Sequence, residues 1–378
     1  MNLIILGAGL VGTPIALDLA NNPAFTVTLV DKCEAALKRA QKHPRIQAEI
    51  RDLSNAAKVS EIVKPFDLVL SAVPGFRGFQ TLEAIIDAGR NVVDIAFSPE
   101  DPFLLHKKAL QKNITAIVDC GVAPGMSHLL TGYAQHLLDT VQKVRIYVGG
   151  LPVVRTWPYE YKAVFSPIDV IEEYTRPARV VENGKIVFKQ ALSEPELLDF
   201  PQIGTLEAFN SDGLRTLTRT INAPDMCEKT LRYPGHIRLM EVLRHSGFFS
   251  KEKIEVGGVE VSPLDVTAKL LFKDWKLDPG EKDLTVMRVL VEGKKGNDAL
   301  RYTFDLLDYY DTKTNIHSMA RTTGYTASVT AKLVATGQIA DKGIIVPEYL
   351  GKKPNIVRQI LEGLKDRGVI YRESIEKQ

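Results

Sequence analysis

Leu3-Ile4-Ile5-Leu6-Gly7-Ala8-Gly9-Leu10-Val11-Gly12 decides how the chain begins. Four apolar residues in a row, without alternation, read as a strand covered on both faces, as inner strands of a parallel sheet are. The glycines at 7, 9 and 12 have the spacing of a strand that turns directly into a helix. The first glycine permits the tight bend, the second lets backbone approach a pyrophosphate, and the third lets the helix pack on its strand. The helix start then offers unpaired N–H groups and partial positive charge to phosphates. Gly7, Gly9, Leu10, Val11 and Gly12 are therefore expected to cradle a dinucleotide.

The same pattern continues outward. A helix is expected over 10–22, then a second strand, Val27-Thr28-Leu29-Val30, stopped by Asp31. A carboxylate at that strand end accepts hydrogen bonds from ribose hydroxyls and repels a 2′-phosphate, so NAD is preferred. Lys32 is a cation able to host that phosphate, which leaves NADP open. Further strands are expected at 46–50, 67–70, 91–95 and 115–118, with helices near 33–41, 77–88 and 99–111. Strands alternating with helices of this length imply βαβ units in an open parallel sheet, a Rossmann-type α/β fold. Ser71-Ala72-Val73-Pro74 follows the fourth strand at the carboxyl edge, where Ala72, Val73 and Pro74 leave room for a cofactor. Asp52 either flanks the adenine or caps a helix before Ser54. Asp94 ends the fifth strand and Asp119-Cys120-Gly121 the sixth, so Asp94 and Gly121 are expected on the nicotinamide side.

After Val144 the period becomes two. Val144, Ile146 and Val148 alternate with polar residues, as do Tyr161, Ala163 and Phe165. Asn183-Gly184 and Gly257-Gly258 mark tight hairpins. A third antiparallel group is expected over 284–292, 299–309 and 315–321, with a helix near 235–246. The middle of the chain thus reads as an inserted α+β, mainly antiparallel, domain whose open sheet face and edge suit a substrate lid or a homodimer contact. Helices over 326–336, lined by Ala327, Ala331 and Ala335, and over 354–368 are expected to return to the first domain. The boundaries that follow are 1–124, 125–322 and 323–378.

Charge and composition exclude several classes. Forty-eight basic against 46 acidic residues leave +2, which advertises no nucleic-acid footprint or polybasic membrane patch. No stretch approaches the roughly 18 apolar residues of a membrane span. Three cysteines at wide spacing suggest no disulfide framework, and His128 and His136 have no ligand partners nearby, so no metal is expected. A soluble, cytoplasmic protein is the default reading. One dense polar cluster remains, Glu228-Lys229-Thr230-Leu231-Arg232-Tyr233-Pro234-Gly235-His236. It either binds carboxylates and moves protons or forms a solvated basic turn.

Several stretches together resemble the saccharopine dehydrogenase family. They are Gly7 to Gly12, Val122-Ala123-Pro124-Gly125, Gly149-Gly150-Leu151-Pro152, Phe165-Ser166-Pro167 with Glu173-Tyr174, Glu228 to His236, and Ala320 to Thr326. The likeness covers nearly the whole chain and is nearest to the short members, which include L-lysine 6-dehydrogenases. It implies oxidation of an amine carbon of a lysine-derived amino acid by a nicotinamide cofactor, giving an imine that water hydrolyses to 2-aminoadipate semialdehyde. Neutral amine must be favoured before hydride can leave, which calls for a base or a dry pocket. Asp119 or His236 is expected to transfer the proton, with Lys229 as the alternative. Arg232 and Arg219 are expected to hold a substrate carboxylate, and Tyr161 and Tyr174 to line the pocket or pack in the core. The rival readings are a carboxynorspermidine synthase-like reductive condensation and an NAD-binding protein without turnover.

Overall fold

The computed structural model describes residues 1–378 except Ser166 and Pro279, and the side chains of Lys42, Pro167 and Ile168. The Phe165-Ser166-Pro167 motif therefore lies partly outside the described residues. The chain divides into two compact units, Met1–Leu137 with Ala320–Tyr371, and Leu138–Met319 with Arg372–Gln378.

The first unit holds a seven-stranded parallel sheet. Its labelled strands are β1 (Asn2–Leu6), β2 (Thr26–Asp31), β3 (Ile46–Ile50), β4 (Leu68–Ser71), β5 (Asn91–Asp94) and β6 (Thr115–Ile117). The order across the sheet is Gly343–Ile345, β6, β5, β4, β1, β2, β3. Leu6 pairs with Val30 on one side and Ser71 on the other. The strand order thus reverses at β1, and open α/β sheets bind ligands outside the carboxyl ends at such a switch point. Leu3 to Leu6 are fully buried, as an unbroken apolar run on an inner strand requires.

Helix α1 (Gly12–Ala20) follows β1 and buries Ile15, Ala16, Leu19 and Ala20. The small-residue helix, Ser318–Ala335, starts eight residues earlier than the expected 326, so no strand forms at 315–321. The reason is tertiary. Buried Asp283 accepts the N–H groups of Ser318 and Met319 at 2.7 and 3.0 Å, satisfying donors that a helix start leaves open. Gly324 of this helix comes against Ile15 of α1 and against Val11 just before it, and Ser328 Oγ donates to Asp18. Helix Met126–Leu137 belongs to this unit rather than to the inserted one, because Gly132 packs on the Glu348 carbonyl.

The second unit is a mixed, mainly antiparallel sheet of nine strands. Its path runs Glu196–Phe200, Gly204–Asn210, Asp225–Arg232, β7 (Thr140–Pro152), Asp283–Lys295, Asp298–Tyr309 and Tyr371–Lys377. Ala178–Glu182 and Lys185–Lys189 add a hairpin beside Asp225–Arg232. The last strand is a departure from the expected return of 323–378 to the first domain. β7 runs parallel to Asp225–Arg232 and antiparallel to Asp283–Lys295. Asn183 and Gly184 have φ of 49° and 75°, the left-handed pair that a type I′ turn needs.

Period two gives this sheet two different faces. On one, helices Pro167–Thr175, His236–His245 and Pro263–Trp275 bring Tyr174, Ile237, Met240 and Trp275 into one core with Phe209 of the sheet. The other carries Tyr147, Leu151, Leu206, Ala208 and Leu231. Residues 161–165 form no strand. Their alternation arises where the chain crosses the end of helix Pro263–Trp275, with one bridge at Ala163 and an Ala163 N–H bond to the Trp275 carbonyl at 2.7 Å.

Candidate functional site

In the first unit the glycine turn and the acidic strand end are joined directly. Asp31 Oδ2 accepts the Ala8 N–H at 2.8 Å, and Oδ1 accepts the Cys33 N–H at 2.8 Å. The carboxylate therefore sits under the turn, half-buried, beside exposed Lys32. Each glycine has its own reason. A Cβ on Gly7, at φ 103°, would lie 2.6 Å from the Ala72 carbonyl oxygen, and one on Gly12 would lie 1.9 Å from the Gly7 oxygen. A Cβ on Gly9 would meet nothing within 4 Å. Gly9 thus faces open space, with Leu10 exposed beside it, which is the cradle a pyrophosphate needs.

Ala72 and buried Val73 lie against this turn, and Pro74 precedes helix Gly75–Asp87 at the same carboxyl edge. Asp52 is fully occupied locally. It accepts from Ser54 N–H and Oγ at 3.0 and 2.8 Å and pairs with Lys58. The Ser54 hydroxyl above all holds its carboxyl below the ordinary range. That geometry is an exposed turn at the helix approach and gives no support to an adenine contact; the cap itself is Asn55.

The ends of β5 and β6 converge. Asp94 Oδ1 accepts the Ala96 N–H at 3.1 Å, and the Asp94 carbonyl accepts the Cys120 N–H at 3.0 Å. Asp119, buried, holds φ at 53°, a left-handed backbone uncommon outside glycine and concentrated at functional sites. Gly121 and Gly125 close the following turn on each other, since a Cβ on Gly125 would stand 1.9 Å from the Gly121 oxygen. Gly125 thus packs its backbone against its own turn. Burial pushes the Cys120 thiol up to about 12, so it stays protonated. His128 is buried, with Nδ1 3.0 Å from Ser127 Oγ. Among the described residues no three metal-ligating side chains gather.

The polar cluster of the second unit is a buried strand running into a helix, and not a turn. Strand Asp225–Arg232 sends Glu228, Thr230 and Arg232 to one face and Cys227, Lys229 and Leu231 to the other. Lys229 is thereby separated from Arg232 and His236. Its Nζ donates to the Glu194 carbonyl at 2.7 Å and pairs with Glu196 at 2.8 Å. It lines a polar pocket of about 450 Å³ on the far face, with Arg145, Tyr147, Cys227 and Arg301.

Arg232 is 2% exposed, and its contacts are internal. Nε donates to Tyr174 Oη at 3.1 Å, Nη1 to the Leu231 carbonyl at 2.9 Å and Nη2 to Glu173 at 2.6 Å. The guanidinium also lies 4.4 Å from the centre of the Tyr161 ring. His236 Nδ1 meets the Tyr159 carbonyl at 2.9 Å and Nε2 meets Tyr174 Oη at 3.0 Å. A carbonyl only accepts, so Nδ1 carries the proton and Nε2 accepts from Tyr174. Burial, then the Arg232 charge, drives the His236 pKa down to about 3. These contacts make Arg232 a buried link in place of the expected carboxylate clamp, and His236 a neutral link in place of a proton-transfer group. Arg219 is exposed on the short helix Leu217–Thr220. Tyr161 and Tyr174 pack around Trp275 in the aromatic core.

Glu173 and Glu228 escaped sequence reasoning as site members. Burial raises both carboxyls, Glu228 to about 7, where Ser211 Oγ and Gly213 N–H bond it at 2.6 and 3.1 Å. Alternation along 225–232 was the signal that groups Glu228 with Arg232 and excludes Lys229.

Residues 3–117 match the model of the saccharopine dehydrogenase NADP binding domain, and 121–369 that of the saccharopine dehydrogenase C-terminal domain. Saccharopine dehydrogenase [NADP(+), L-glutamate-forming] of Saccharomyces cerevisiae is 23% identical, covering 98% of each chain. Carboxynorspermidine synthase of Vibrio cholerae is 26% identical over 94% of this chain and 93% of that one. Mitochondrial alpha-aminoadipic semialdehyde synthase of Bos taurus is 24% identical over 97% of this chain and 47% of its own length. This chain thus spans about half the length of that relative. The solved apo structure of the Saccharomyces cerevisiae saccharopine dehydrogenase (L-Glu forming) superposes with a TM-score of 0.81 at 19% identity, over 99% of both chains, and shares the fold.

Proposed function

Because this chain belongs to the saccharopine dehydrogenase family, we propose that it is an NAD(P)-dependent oxidoreductase acting on an amine carbon of a lysine-derived amino acid. The observation that carries the reading is the Asp31 carboxylate bonded to Ala8 beneath a turn whose Gly9 is open. Gly7, Gly9, Gly12 and Asp31 would hold the dinucleotide, which when bound accepts hydride.

The overall change balances as amine plus oxidised nucleotide plus water, giving carbonyl, released amine, reduced nucleotide and one proton. The nitrogen lone pair forms the C=N bond as hydride departs, so the ammonium proton must leave first. Asp119 is the group assigned to receive it, as a buried carboxyl in strained backbone at the carboxyl edge beside Asp94. Asp119→Asn should lower kcat by about 10²- to 10⁴-fold, the usual contribution of general acid–base catalysis, with nucleotide affinity held. An unchanged kcat removes Asp119 from the role.

NAD is the preferred nucleotide on the charge of Asp31, although the matched family model is described as NADP binding. Saccharopine and L-lysine are the two substrates to separate. Growth of the reduced-nicotinamide absorbance with one of them, under NAD and NADP in turn, tests the reading directly. Absence of turnover with both would defeat it. The Vibrio cholerae relative favours a second reading, reductive joining of an aldehyde and an amine, which consumes reduced nucleotide instead.

A further inference from the structure

The polar pocket of about 450 Å³ on the far face of the second sheet takes no part in the proposed oxidation, and it lies wholly within the second unit. Its floor is a ladder across neighbouring strands. Lys143 of β7 stands in register between Asp225 and Glu292, and Arg145 between Cys227 and Leu290. Its wall carries Val180, Glu182, Glu194 and Glu196. Val180 and Leu290 put apolar surface among the charges.

Pairing leaves two of those charges incompletely matched. Arg145 holds Asp225 at 2.6 Å, Arg301 holds Glu292 at 2.7 Å and Lys229 holds Glu196 at 2.8 Å. Lys189 is shared by Glu182 and Glu194, at 2.7 and 2.6 Å, so that pair of carboxylates has one cation between them. Among the described residues Lys143 takes no ion pair, because the carboxylates on either side of it are claimed by the two arginines. The floor thus offers a free ammonium and the wall a half-neutralised pair of carboxylates.

A ligand that complements both carries a carboxylate and an ammonium, and methylenes that can lie on Val180 and Leu290. Small-molecule pockets combine such apolar surface with a few placed polar groups, in volumes of about 300–1,000 Å³. We propose that this pocket binds an α-amino acid with an unbranched side chain, its carboxylate on Lys143 and its ammonium on Glu182 and Glu194. A dicarboxylate would meet the wall with like charge and a diamine would meet Lys143 with like charge, so the pocket selects against both. The site rests on no part of the functional reading, and an inactive protein would still possess it.

Cys227 reports on the pocket that it lines. Burial pushes its thiol up to about 11, so it should react slowly with iodoacetamide near about pH 8.5, while exposed Cys33 in the first unit serves as internal control. Labelling of the full chain without nucleotide, read by peptide mass spectrometry, is compared with L-lysine, L-norleucine, hexanoate and hexylamine in turn. Each amino acid, at ten times its dissociation constant, should slow labelling of Cys227 about tenfold and leave Cys33 unchanged. Hexanoate and hexylamine each lack one of the two charges and should bind at least about tenfold more weakly. Lys143→Ala breaks no ion pair, so its melting temperature should hold. Its affinity for both amino acids should nevertheless fall about tenfold or more, with that for hexylamine unmoved. Cys227 labelling that ignores both amino acids, or protection that survives Lys143→Ala, overturns the site. Equal protection by hexanoate or hexylamine overturns the zwitterion as its ligand.

Discussion

Single atoms separate the roles of the glycines in the opening turn. A methyl group on Gly9 meets nothing in the protein, so Gly9→Ala should keep its melting temperature yet bind NAD at least about tenfold more weakly in calorimetry. Gly12→Ala instead drives Cβ to 1.9 Å from the Gly7 oxygen and should destabilise the fold by about 1–3 kcal/mol, read by denaturant unfolding. Equal effects of the two changes would contradict the assigned cradle. Asp31 tests the nucleotide preference. Asp31→Ala removes the charge proposed to repel a 2′-phosphate, so the ratio of kcat/KM for NAD to that for NADP should fall by more than about tenfold. It also frees the Ala8 and Cys33 N–H groups, so both affinities should weaken together with that shift.

At the scale of elements, strand Asp225–Arg232 carries the clearest pH signature. Burial raises Glu228 from 4.5 to about 7, so the folded protein holds a proton that the unfolded chain releases. The stability this contributes is complete below about pH 4.5 and is lost as pH rises through about 7. Glu228→Gln keeps an acceptor for Ser211 and Gly213 without the ionisation. Urea unfolding should therefore show the wild type losing up to about 3 kcal/mol relative to the variant between about pH 5 and pH 8. Parallel pH curves would mean that the carboxyl is solvated. His236 acts in the opposite sense, since its lowered pKa withdraws stability as pH falls from about 6.5 towards 3.

Legibility also divided at this scale. β3 was expected at 46–50 and lies there, and the two hairpin turns at Asn183-Gly184 and Gly257-Gly258 were legible because positive φ restricts residue choice. The helix beginning at Ser318 was not, because its first donors are satisfied by Asp283, far away in sequence. The cluster 228–236 listed the right residue types but hid their geometry. Counting basic residues in a window ignores the period of two, which sends Lys229 and Arg232 to opposite faces.

Across the whole molecule, the two units have separate sheets and separate cores. A ligand that binds one folded unit stabilises it by mass action, about 2.7 kcal/mol at a hundred times its dissociation constant. Saturating NAD should therefore slow amide exchange across 1–137 and 320–371 and much less across the core strands of 138–319. Uniform protection, or protection centred on the second sheet, would place the nucleotide elsewhere.

From its sequence alone the protein had determined the parallel sheet, its glycine turn and the acidic end of its second strand. Those features are local: one apolar run, one backbone conformation and one strand end suffice to state them. Tertiary structure alone decided which ionisable groups are available for chemistry. Arg232 and His236 lose that freedom to Glu173, Tyr174 and a backbone carbonyl, partners 58 to 77 residues away along the chain. Proximity in a folded core sets both their hydrogen bonds and their desolvation, and neither is a property of neighbours in sequence.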